Sequence, residues 1–443
     1  LLEQIELVII DEISMVRADL IDAIDRILRV YSHNLREPFG GKQLLLVGDV
    51  FQLEPVVKND EREILNRAYP TPYFFSARVF SQIDLVSIEL QKVYRQTDSV
   101  FVSVLDHIRT NTAGAADLQL LNTRYGSHIE ESEADMYITL ATRRDTVDSI
   151  NEKKLAELAG EPITFEGSIE GDFPESSLPT SQELVLKPGA QIIFIKNDFD
   201  RRWVNGTIGV IAGIDEEEET IYVITDDGKE CDVKRESWRN IRYRYNEKTK
   251  EIEEEVLGSF TQYPIRLAWA ITVHKSQGLT FSRVVIDFTG GVFAGGQAYV
   301  ALSRCTSLDG IQLKKPINRA DIFVRPEIVN FAGRFNDRQA IDKALKQAQA
   351  DVQYAAAARA FDKGDMEECL EQFFRAIHSR YDIEKPVPRR LIRRKLGIIN
   401  TLQEQNKKLK EQMREQQERL RQYAHEYLLM GNECITQAHD VRA

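Results

Sequence analysis

The chain has 443 residues, of which 42% are hydrophobic and 29% are charged. This length corresponds to about three domains, and the composition excludes collagen-like and disordered classes. The net charge of -12 disfavours nucleic-acid binding. Phosphate contacts depend on the local field, however, so the total charge does not exclude a local basic channel. The cysteine spacings fit neither a zinc site nor a disulfide framework. Because no apolar run approaches the roughly 18 residues that cross a bilayer and no signal-peptide pattern occurs, we expect a soluble cytoplasmic protein without a membrane partner.

The first 90 residues alternate between strand and helix patterns. Residues 5–10 form an apolar run, residues 20–28 repeat apolar side chains at helical spacing, and residues 43–47 form a second buried-type strand. Strand, helix and strand in this order are typical of a parallel sheet. Residues 137–158 repeat the pattern, which predicts a second α/β region.

The pattern changes to short β-runs with turn signals over residues 187–260. We expect here a small all-β barrel inserted into the α/β chain. The preceding residues 161–182 are rich in Gly, Pro, Ser and acidic residues, which predicts a loop. The α/β pattern returns at residues 265–271 and 284–286.

Two carboxylates follow the first predicted strand directly. Asp11 and Glu12 therefore lie at the carboxyl edge of the predicted sheet, where open α/β folds bind ligands. This is the Walker B arrangement, in which Asp11 can hold Mg²⁺ on nucleotide phosphates and Glu12 can orient or deprotonate the attacking water. The isolated motif is a weak signal, but Gly48 and Asp49 follow the second strand at the same edge, and Gln52 can sense a γ-phosphate or place the water.

Six short motifs occur in order along the chain: DEISM at 11–15, GDVFQLEPV at 48–56, VYRQ at 93–96, LATRR at 140–144, TVHKSQGLTF at 272–281 and YVALSR at 299–304. Their order resembles the RecD/Pif family of superfamily-one DNA helicases. The resemblance covers roughly residues 5–310, and so many matches in family order rarely arise by chance. The sequence departs from the family at Glu54, where a second proline is usual.

The resemblance implies an α/β fold with two RecA-like P-loop NTPase domains and an all-α C-terminal extension. Domain 1A would occupy residues 1–100 in truncated form, and domain 2A residues 101–320, interrupted by an SH3-like β-barrel, domain 2B, at residues 187–260. The implied activity is that of an ATP-dependent DNA helicase, an enzyme that uses ATP and Mg²⁺ to move 5′ to 3′ along single-stranded DNA.

The same resemblance implies roles for individual residues. Guanidinium groups stay charged at any working pH, as an arginine finger requires. Trp203 in the inserted barrel is either a base-stacking platform or part of the barrel core. The implied catalytic residues are Glu12, Gln52, Arg95 and Arg304; the nucleotide-binding residues are Asp11, which is also the metal ligand, Gly48, Asp49, Gln277 and Gly278; the DNA-binding residues are Thr142, Thr272, His274, Lys275 and Ser276.

A Walker A motif is missing from the 443 residues. The stretch Gly40-Gly41-Lys42 is not one, because Gln43 replaces the Ser or Thr and the loop precedes a strand. Since the sequence begins without Met and in mid-element, we expect a fragment whose P-loop lies upstream. Alone, it should hydrolyse ATP poorly.

The C-terminal third is predicted to be helical. Residues 321–385 resemble one tetratricopeptide-type hairpin, although a plain helical hairpin explains them equally well. Residues 386–443 begin with a basic cluster at 389–395, and their heptad spacing predicts a coiled coil or a long exposed helix that binds a protein partner or self-associates. The heptad registers are Ile399, Asn406, Met413, Leu420 and Tyr427, and Leu402, Leu409, Gln416, Tyr423 and Met430.

Two functions of different classes are compatible with this sequence. The first is a DNA helicase motor. The second is a catalytically inactive, helicase-like scaffold that acts through its helical C-terminal region. The intact acids, glutamine and arginines favour the motor, because an inactive chain has no catalytic reason to keep them.

Overall fold

The computed structural model describes residues 2–127, 136–246, 251–379 and 386–440. The chain divides into two compact units, Leu1–Asn336 and Asp337–Ala443. No helix among these described residues is long and apolar enough to cross a membrane. The cytoplasmic location stays a prediction.

The first α/β region of the larger unit follows the predicted order. Strand β1 (Leu7–Ile10) leads into helix α1 (Ala18–Tyr31) and then into β2 (Gln43–Leu46). The two strands pair in parallel, with Leu7 opposite Gln43, and α1 buries Ile21 and Leu28. Helices α2 (Asn59–Ala68), α3 (Ser99–Arg109) and α4 (Ala115–Asn122) follow.

The β-rich region begins earlier than the sequence pattern indicates. Residues 161–182, predicted as a loop, contain two strands. Their glycine content reflects close packing, because a Cβ at Gly171 would lie 2.4 Å from the carbonyl oxygen of Leu257. The elements are β3 (Ile138–Ala141), α5 (Arg144–Glu157), β4 (Ile163–Glu166), β5 (Ser168–Gly171), β6 (Glu183–Leu186), β7 (Gln191–Phe194), β8 (Ile208–Asp215), β9 (Thr220–Thr225), β10 (Glu230–Val233), β11 (Glu236–Asn246), β12 (Glu251–Gln262) and β13 (Ile265–Leu267).

Strands β4 to β13 form three small sheets in the orders β10-β9-β8-β7-β13, β11-β12-β5 and β4-β6. All pairings within them are antiparallel. Trp203 belongs to their core, because its side chain is 6% exposed and stacks on Phe194 at 4.4 Å. Of the two roles left open for Trp203, the structure supports barrel core. An SH3-like architecture for residues 187–260 stays a prediction.

The second α/β region closes around a four-stranded parallel sheet. Strands β14 (Ala270–Thr272) and β15 (Val284–Asp287), helix α6 (Gln297–Ser303) and strand β16 (Ile311–Leu313) complete it. The strand order is β14-β3-β15-β16, and every pairing is parallel. Buried side chains of α3 join its core.

Helix α7 (Pro326–Ala332) returns to the first α/β region. Its Phe331 stacks on Phe75 with ring centroids 4.5 Å apart. Residues 321–336 therefore belong to the larger unit, whereas the sequence grouped them with the C-terminal helices. The reason is aromatic packing between segments about 250 residues apart, which has no local signature.

The smaller unit contains helices α8 (Arg338–Lys363), α9 (Met366–Ser379) and α10 (Pro386–Asp440). Gly364 ends α8 with φ of 83° and lets α9 fold back as a hairpin, in which Tyr354 contacts Phe373 at 5.9 Å. A tetratricopeptide relationship stays a prediction. Of the basic cluster at 389–395, the described side chains include Arg394, which is exposed; the side chains of Arg389, Arg390, Arg393 and Lys395 lie outside them.

Candidate active site

The turn after β1 presents the two acids at the sheet edge. Asp11 and Glu12 are both exposed, and the backbone N–H of Glu12 donates to Asp11 Oδ1 at 2.8 Å. Glu12 adopts a left-handed conformation with φ of 48°, which costs a non-glycine residue about 1–2 kcal/mol. Such strain persists where surrounding contacts impose it, typically at functional sites. Here Ile13 donates to the carbonyl of Val47 at 3.0 Å, which ties the turn to β2.

Gly48 allows the end of β2 to lie against this turn. A Cβ at Gly48 would lie 2.9 Å from the backbone nitrogen of Ile13, and φ is 151°. The glycine therefore positions the acidic turn through its backbone. A direct contact between Gly48 and a nucleotide stays a prediction.

Asp49 lies between two helices of the second α/β region. Its Oδ1 accepts a hydrogen bond from the N–H of Phe51 at 3.0 Å and lies 3.8 Å from the guanidinium of Arg109, at the end of α3. Arg109 also pairs with Glu89 at 2.6 Å and covers the ring of Phe51 at 4.7 Å. On the other side, burial and then the charge of Asp49 raise the pKa of Tyr299 in α6.

The loop after β2 is inserted into the second region at two further points. The side chain of Leu53 is fully buried and packs in the core of the second parallel sheet. Gly296, which precedes α6 with φ of 76°, would place a Cβ 2.3 Å from the carbonyl oxygen of Phe51. Glu54, the departure from the family pattern, accepts from Tyr73 at 3.0 Å and pairs with Arg325 at 3.3 Å. This loop therefore contacts both α/β regions.

Arg304 is buried at the same junction without an acidic partner. Its side chain is 1% exposed, and it donates to the carbonyls of Val300 at 3.1 Å and Leu279 at 3.3 Å. Among the described residues, no carboxylate lies within salt-bridge distance of it. Burial first, and then the positive charge of Arg95, lower the pKa of Arg304 to about 10. The negative charges of Glu12 and Asp49 act in the opposite direction and raise it.

Arg95 and Gln96 attach the VYRQ segment to the residues around Arg304. Arg95 donates to the carbonyl of Ser303 at 3.3 Å. The buried amide of Gln96 donates to the carbonyls of Ser303 at 3.0 Å and Cys305 at 2.9 Å. The structure thus brings Arg95 and Arg304 together, with Glu12 and Asp49 within electrostatic reach of Arg304.

Three predicted site residues carry buried polar atoms that lack a hydrogen-bond partner within the described parts of the chain. They are Gln52 Oε1, Gln277 Nε2 and Thr142 Oγ1. An unsatisfied buried polar atom costs about 1–3 kcal/mol, so a ligand or water that pairs with it is favoured. Gly278 beside Gln277 has φ of 77°, and a Cβ there would meet open space. These residues fit a polar ligand.

The predicted DNA-binding residues share the carboxyl edge of the second parallel sheet. Thr272 ends β14 opposite Ala141 of β3, so Thr142 lies beside it on the neighbouring strand. The backbone N–H of Lys275 donates to Thr272 Oγ1 at 3.3 Å. Lys275 is exposed; desolvation and then the charges of Arg266 and Arg144 lower its pKa. A local basic cluster therefore exists in a chain of net negative charge.

His274 forms an aromatic pair at this edge. Its ring stacks on Phe293 at 6.4 Å with an interplanar angle of 17°, and Phe293 is 56% exposed. Burial lowers the pKa of His274, so the imidazole is neutral near pH 7 and offers a hydrogen bond rather than a charge.

Ser276 does not match its predicted role. Its side chain is fully buried, and its hydroxyl donates to the carbonyl of Val273 at 2.8 Å. Ser276 ends a short 3-10 turn (His274–Ser276), which directs its hydroxyl inwards. Ser276 therefore shapes the turn and offers no surface to a DNA strand.

Sequence reasoning missed Arg109, Phe293 and the role of Tyr299. Tyr299 lies inside a recognised motif, YVALSR, so its position was a signal. Arg109 and Phe293 lie outside the recognised motifs, and only tertiary contacts reveal them. Among the described residues, no group of three His, Cys, Asp or Glu side chains could hold a metal ion by itself. The role of Asp11 as a Mg²⁺ ligand stays a prediction.

Comparison with known proteins identifies the family of this chain. The sequence model of the family described as PIF1-like helicase matches residues 1–113. The ATP-dependent DNA helicase Pif1 of Campylobacter jejuni is 34% identical over 327 residues, which span 71% of this chain and 70% of that protein. The chain belongs to the PIF1-like helicase family.

Family membership confirms the predicted resemblance and the α/β class with two RecA-like domains. A crystal structure of Bacteroides Pif1 helicase in complex with ADP-AlF3 and ssDNA aligns with a TM-score of 0.59 and 40% identity, covering 75% of this chain and 76% of that one. The human ATP-dependent DNA helicase PIF1 is 35% identical over 311 residues, 69% of this chain. The chain spans 45% of the length of that human relative.

Proposed function

We propose that this chain is the motor part of an ATP-dependent DNA helicase that moves 5′ to 3′ along single-stranded DNA. The position of Arg304 carries the proposal. Within the described parts of the chain, this buried guanidinium donates to carbonyls alone, and it lies next to Arg95 at the junction of the two α/β regions. A cation without a carboxylate partner suits nucleotide phosphates. The Bacteroides relative, which was crystallised with ADP-AlF3 and ssDNA, supports both ligands.

The chemistry follows from the positions of the side chains. When bound, MgATP supplies the phosphoryl group that passes to water. Asp11 is the proposed Mg²⁺ ligand, and the adjacent Glu12 orients the attacking water or accepts its proton. Since the pKa of Arg304 is still about 10, Arg304 stays protonated at neutral pH and, with Arg95, offsets negative charge on the phosphate oxygens. Gln52 has the free carbonyl oxygen to hold the water.

The phosphate cradle has to come from a segment outside these 443 residues. The sequence contains no P-loop, and a two-stranded sheet is marginally stable alone. One face of β1 and β2 exposes apolar side chains, with Ile9 59% and Leu45 47% exposed in register with each other. We include in the proposal that a P-loop-bearing segment covers this face.

The DNA strand is proposed to lie along the carboxyl edge of the second parallel sheet. Thr272 and Lys275 supply donors for phosphates, whereas the hydroxyl of Thr142 is buried. Phe293, stacked on His274, offers an exposed aromatic face to a base. Stacking on aromatic side chains and contacts to phosphates are the means by which proteins bind single strands without reading sequence.

The hydrolysis part is tested by DNA-stimulated ATPase activity of the chain joined to a P-loop-bearing segment. Glu12→Gln should lower turnover by about 10²-fold or more, because general-base contributions are typically of this size. Glu6→Gln is the matched control, since Glu6 is also exposed but precedes β1. Unchanged turnover in Glu12→Gln would count against the motor. Absence of turnover in the unsubstituted protein would favour the scaffold.

The DNA part is tested on the 443-residue chain by fluorescence anisotropy with labelled single-stranded oligonucleotides. Phe293→Ala should weaken binding about tenfold, since one stacked base contributes about 1–3 kcal/mol. Tyr31→Ala is the matched control, because Tyr31 is 60% exposed and ends α1 in the first α/β region. Equal affinities of both variants would remove Phe293 from the proposed DNA path.

A further inference from the structure

Helix α10 presents an unpaired apolar stripe to solvent. Every described side chain from residue 401 to residue 438 is exposed. The larger residues of the two heptad registers are between half and three-quarters exposed: Leu402, Leu409, Met413, Leu420, Tyr423, Tyr427 and Met430. Contiguous exposed apolar surface of this kind marks an interaction site, and the stripe runs along about 40 Å of helix at 1.5 Å per residue.

We propose that this stripe is the interface of a parallel, in-register two-stranded coiled coil with a second copy of this chain. The inference is independent of the helicase proposal, since it uses none of the residues of that site. In heptad notation, Ile399, Asn406, Met413, Leu420 and Tyr427 take position a, and Leu402, Leu409, Gln416, Tyr423 and Met430 take position d.

Most charged residues of the helix lie outside this seam. They occupy the outer heptad positions b, c and f: Glu404, Lys407, Lys408, Glu411, Arg414, Glu415, Glu418 and Arg421. The positions flanking the seam, e and g, are occupied mainly by glutamine and small residues. In a parallel pair Gln405 meets Lys410, Gln412 meets Gln417, Arg419 meets Ala424 and Glu426 meets Gly431. No like charges therefore oppose one another at these positions.

The polar seam residues favour a second identical copy over an unrelated helix. In a parallel, in-register pair Asn406 faces Asn406 and Gln416 faces Gln416 of the second copy. An amide has both a donor and an acceptor, so two identical amides can pair with each other. A single Asn at position a also favours two strands and specifies register.

The main competing arrangement carries an electrostatic penalty. An antiparallel pair that places Asn406 opposite Gln416 also matches Leu409 with Met413 and Leu402 with Leu420. In that alignment, however, Lys410 flanks the seam at its centre and faces Lys410 of the second copy. Two ammonium groups in contact repel, whereas the parallel alignment pairs Lys410 with neutral Gln405.

The first test is the mass of the full 443-residue chain, measured by light scattering after size-exclusion chromatography at micromolar concentration. We expect the mass of two chains. The variant Leu409→Lys/Leu420→Lys should give the mass of one chain, because it places charges in the seam. Leu429→Lys is the matched control: Leu429 is 52% exposed but lies at outer position c, so the dimer should persist. A native chain with the mass of a monomer overturns the proposal.

The second test distinguishes the two orientations through Cys434. This exposed cysteine occupies the next position a after Tyr427, so a parallel in-register pair brings the two Cys434 thiols face to face. Diamide, which accepts the two electrons and two protons released, should join them in a disulfide-linked dimer that Cys434→Ser does not form. A dimer without this cross-link overturns the parallel register. Circular dichroism of each variant verifies that the helices remain folded.

Discussion

The carboxylate of Asp49, in the loop after β2, lies 3.8 Å from the guanidinium of Arg109 at the end of α3. This pair joins the loop after β2, which lies against the acidic turn, to a helix that packs in the core of the second parallel sheet. Relative movement of the two α/β regions must therefore either break this ion pair or shift the loop together with α3.

Arg109→Ala should destabilise the chain by about 2 kcal/mol, because it leaves Glu89 and Asp49 without their cationic partner in partly buried positions. The midpoint of urea unfolding, followed by tryptophan fluorescence, measures the effect. Arg67→Ala is the control, since its ion pair with Glu63 is about 77% exposed on both sides and should contribute less than about 0.5 kcal/mol. Equal effects of the two substitutions would contradict a linking role for Arg109.

Arg109 and Tyr299 should be energetically coupled through Asp49, which both approach. Tyr299→Phe removes the hydroxyl near Asp49 and keeps the ring. In a double-mutant cycle with Arg109→Ala, we expect a coupling free energy of about 0.5–3 kcal/mol, since residues that share one partner are not additive. If the effects of the two substitutions on the free energy of unfolding are additive, Asp49 does not couple α3 to α6.

Gly296→Ala should be far more damaging than Gly291→Ala. Both glycines have similar positive φ angles, 76° and 80°, so both variants bear the same backbone strain of about 1–2 kcal/mol. A Cβ at Gly296, however, would lie 2.3 Å from the carbonyl of Phe51, whereas at Gly291 it would meet open space. Thermal unfolding compares the two. Similar melting temperatures would mean that the loop after β2 can shift to accommodate the added Cβ at little cost.

Glu12→Gly should separate stability from catalysis. Glycine removes the left-handed strain at this position, so we expect the free energy of unfolding to hold or to rise by up to about 1 kcal/mol. Hydrolysis by the chain with its P-loop segment should be lost, because the carboxylate is gone. Glu219→Gly, at a hairpin residue with φ of 49°, should show the same stability change without loss of turnover. A clear destabilisation at Glu12 alone would argue against stored strain there.

Acidification should destabilise the chain partly through His274. Burial lowers the pKa of His274 in the folded state, so below about pH 6.5 the unfolded chain binds the proton more readily. This contribution to stability is present above that pH and is lost as the pH falls through the folded-state pKa. His274→Gln should therefore show a smaller drop in melting temperature between neutral and mildly acidic buffer. His425→Gln, at an exposed residue of α10, should behave like the native chain.

The local features of this protein were available in its sequence. The alternation of strand and helix, the acid pair after β1, the motif order and the heptads of α10 all depend on spacings of a few residues, which the amino-acid pattern contains directly. The boundaries that it missed, the strands within residues 161–182 and the return of α7 to the first core, depend on what a segment packs against.

Only the tertiary structure decided which groups meet. Asp49 and Arg109 are separated by 60 positions, Phe75 and Phe331 by more than 250, and the insertion of Leu53 into the second core has no local pattern. Burial of the Ser276 hydroxyl and of the Arg304 guanidinium was equally invisible. The physical reason is that burial and pairing are set by the surface that a distant segment brings to a side chain, whereas period and motif are properties of neighbouring residues.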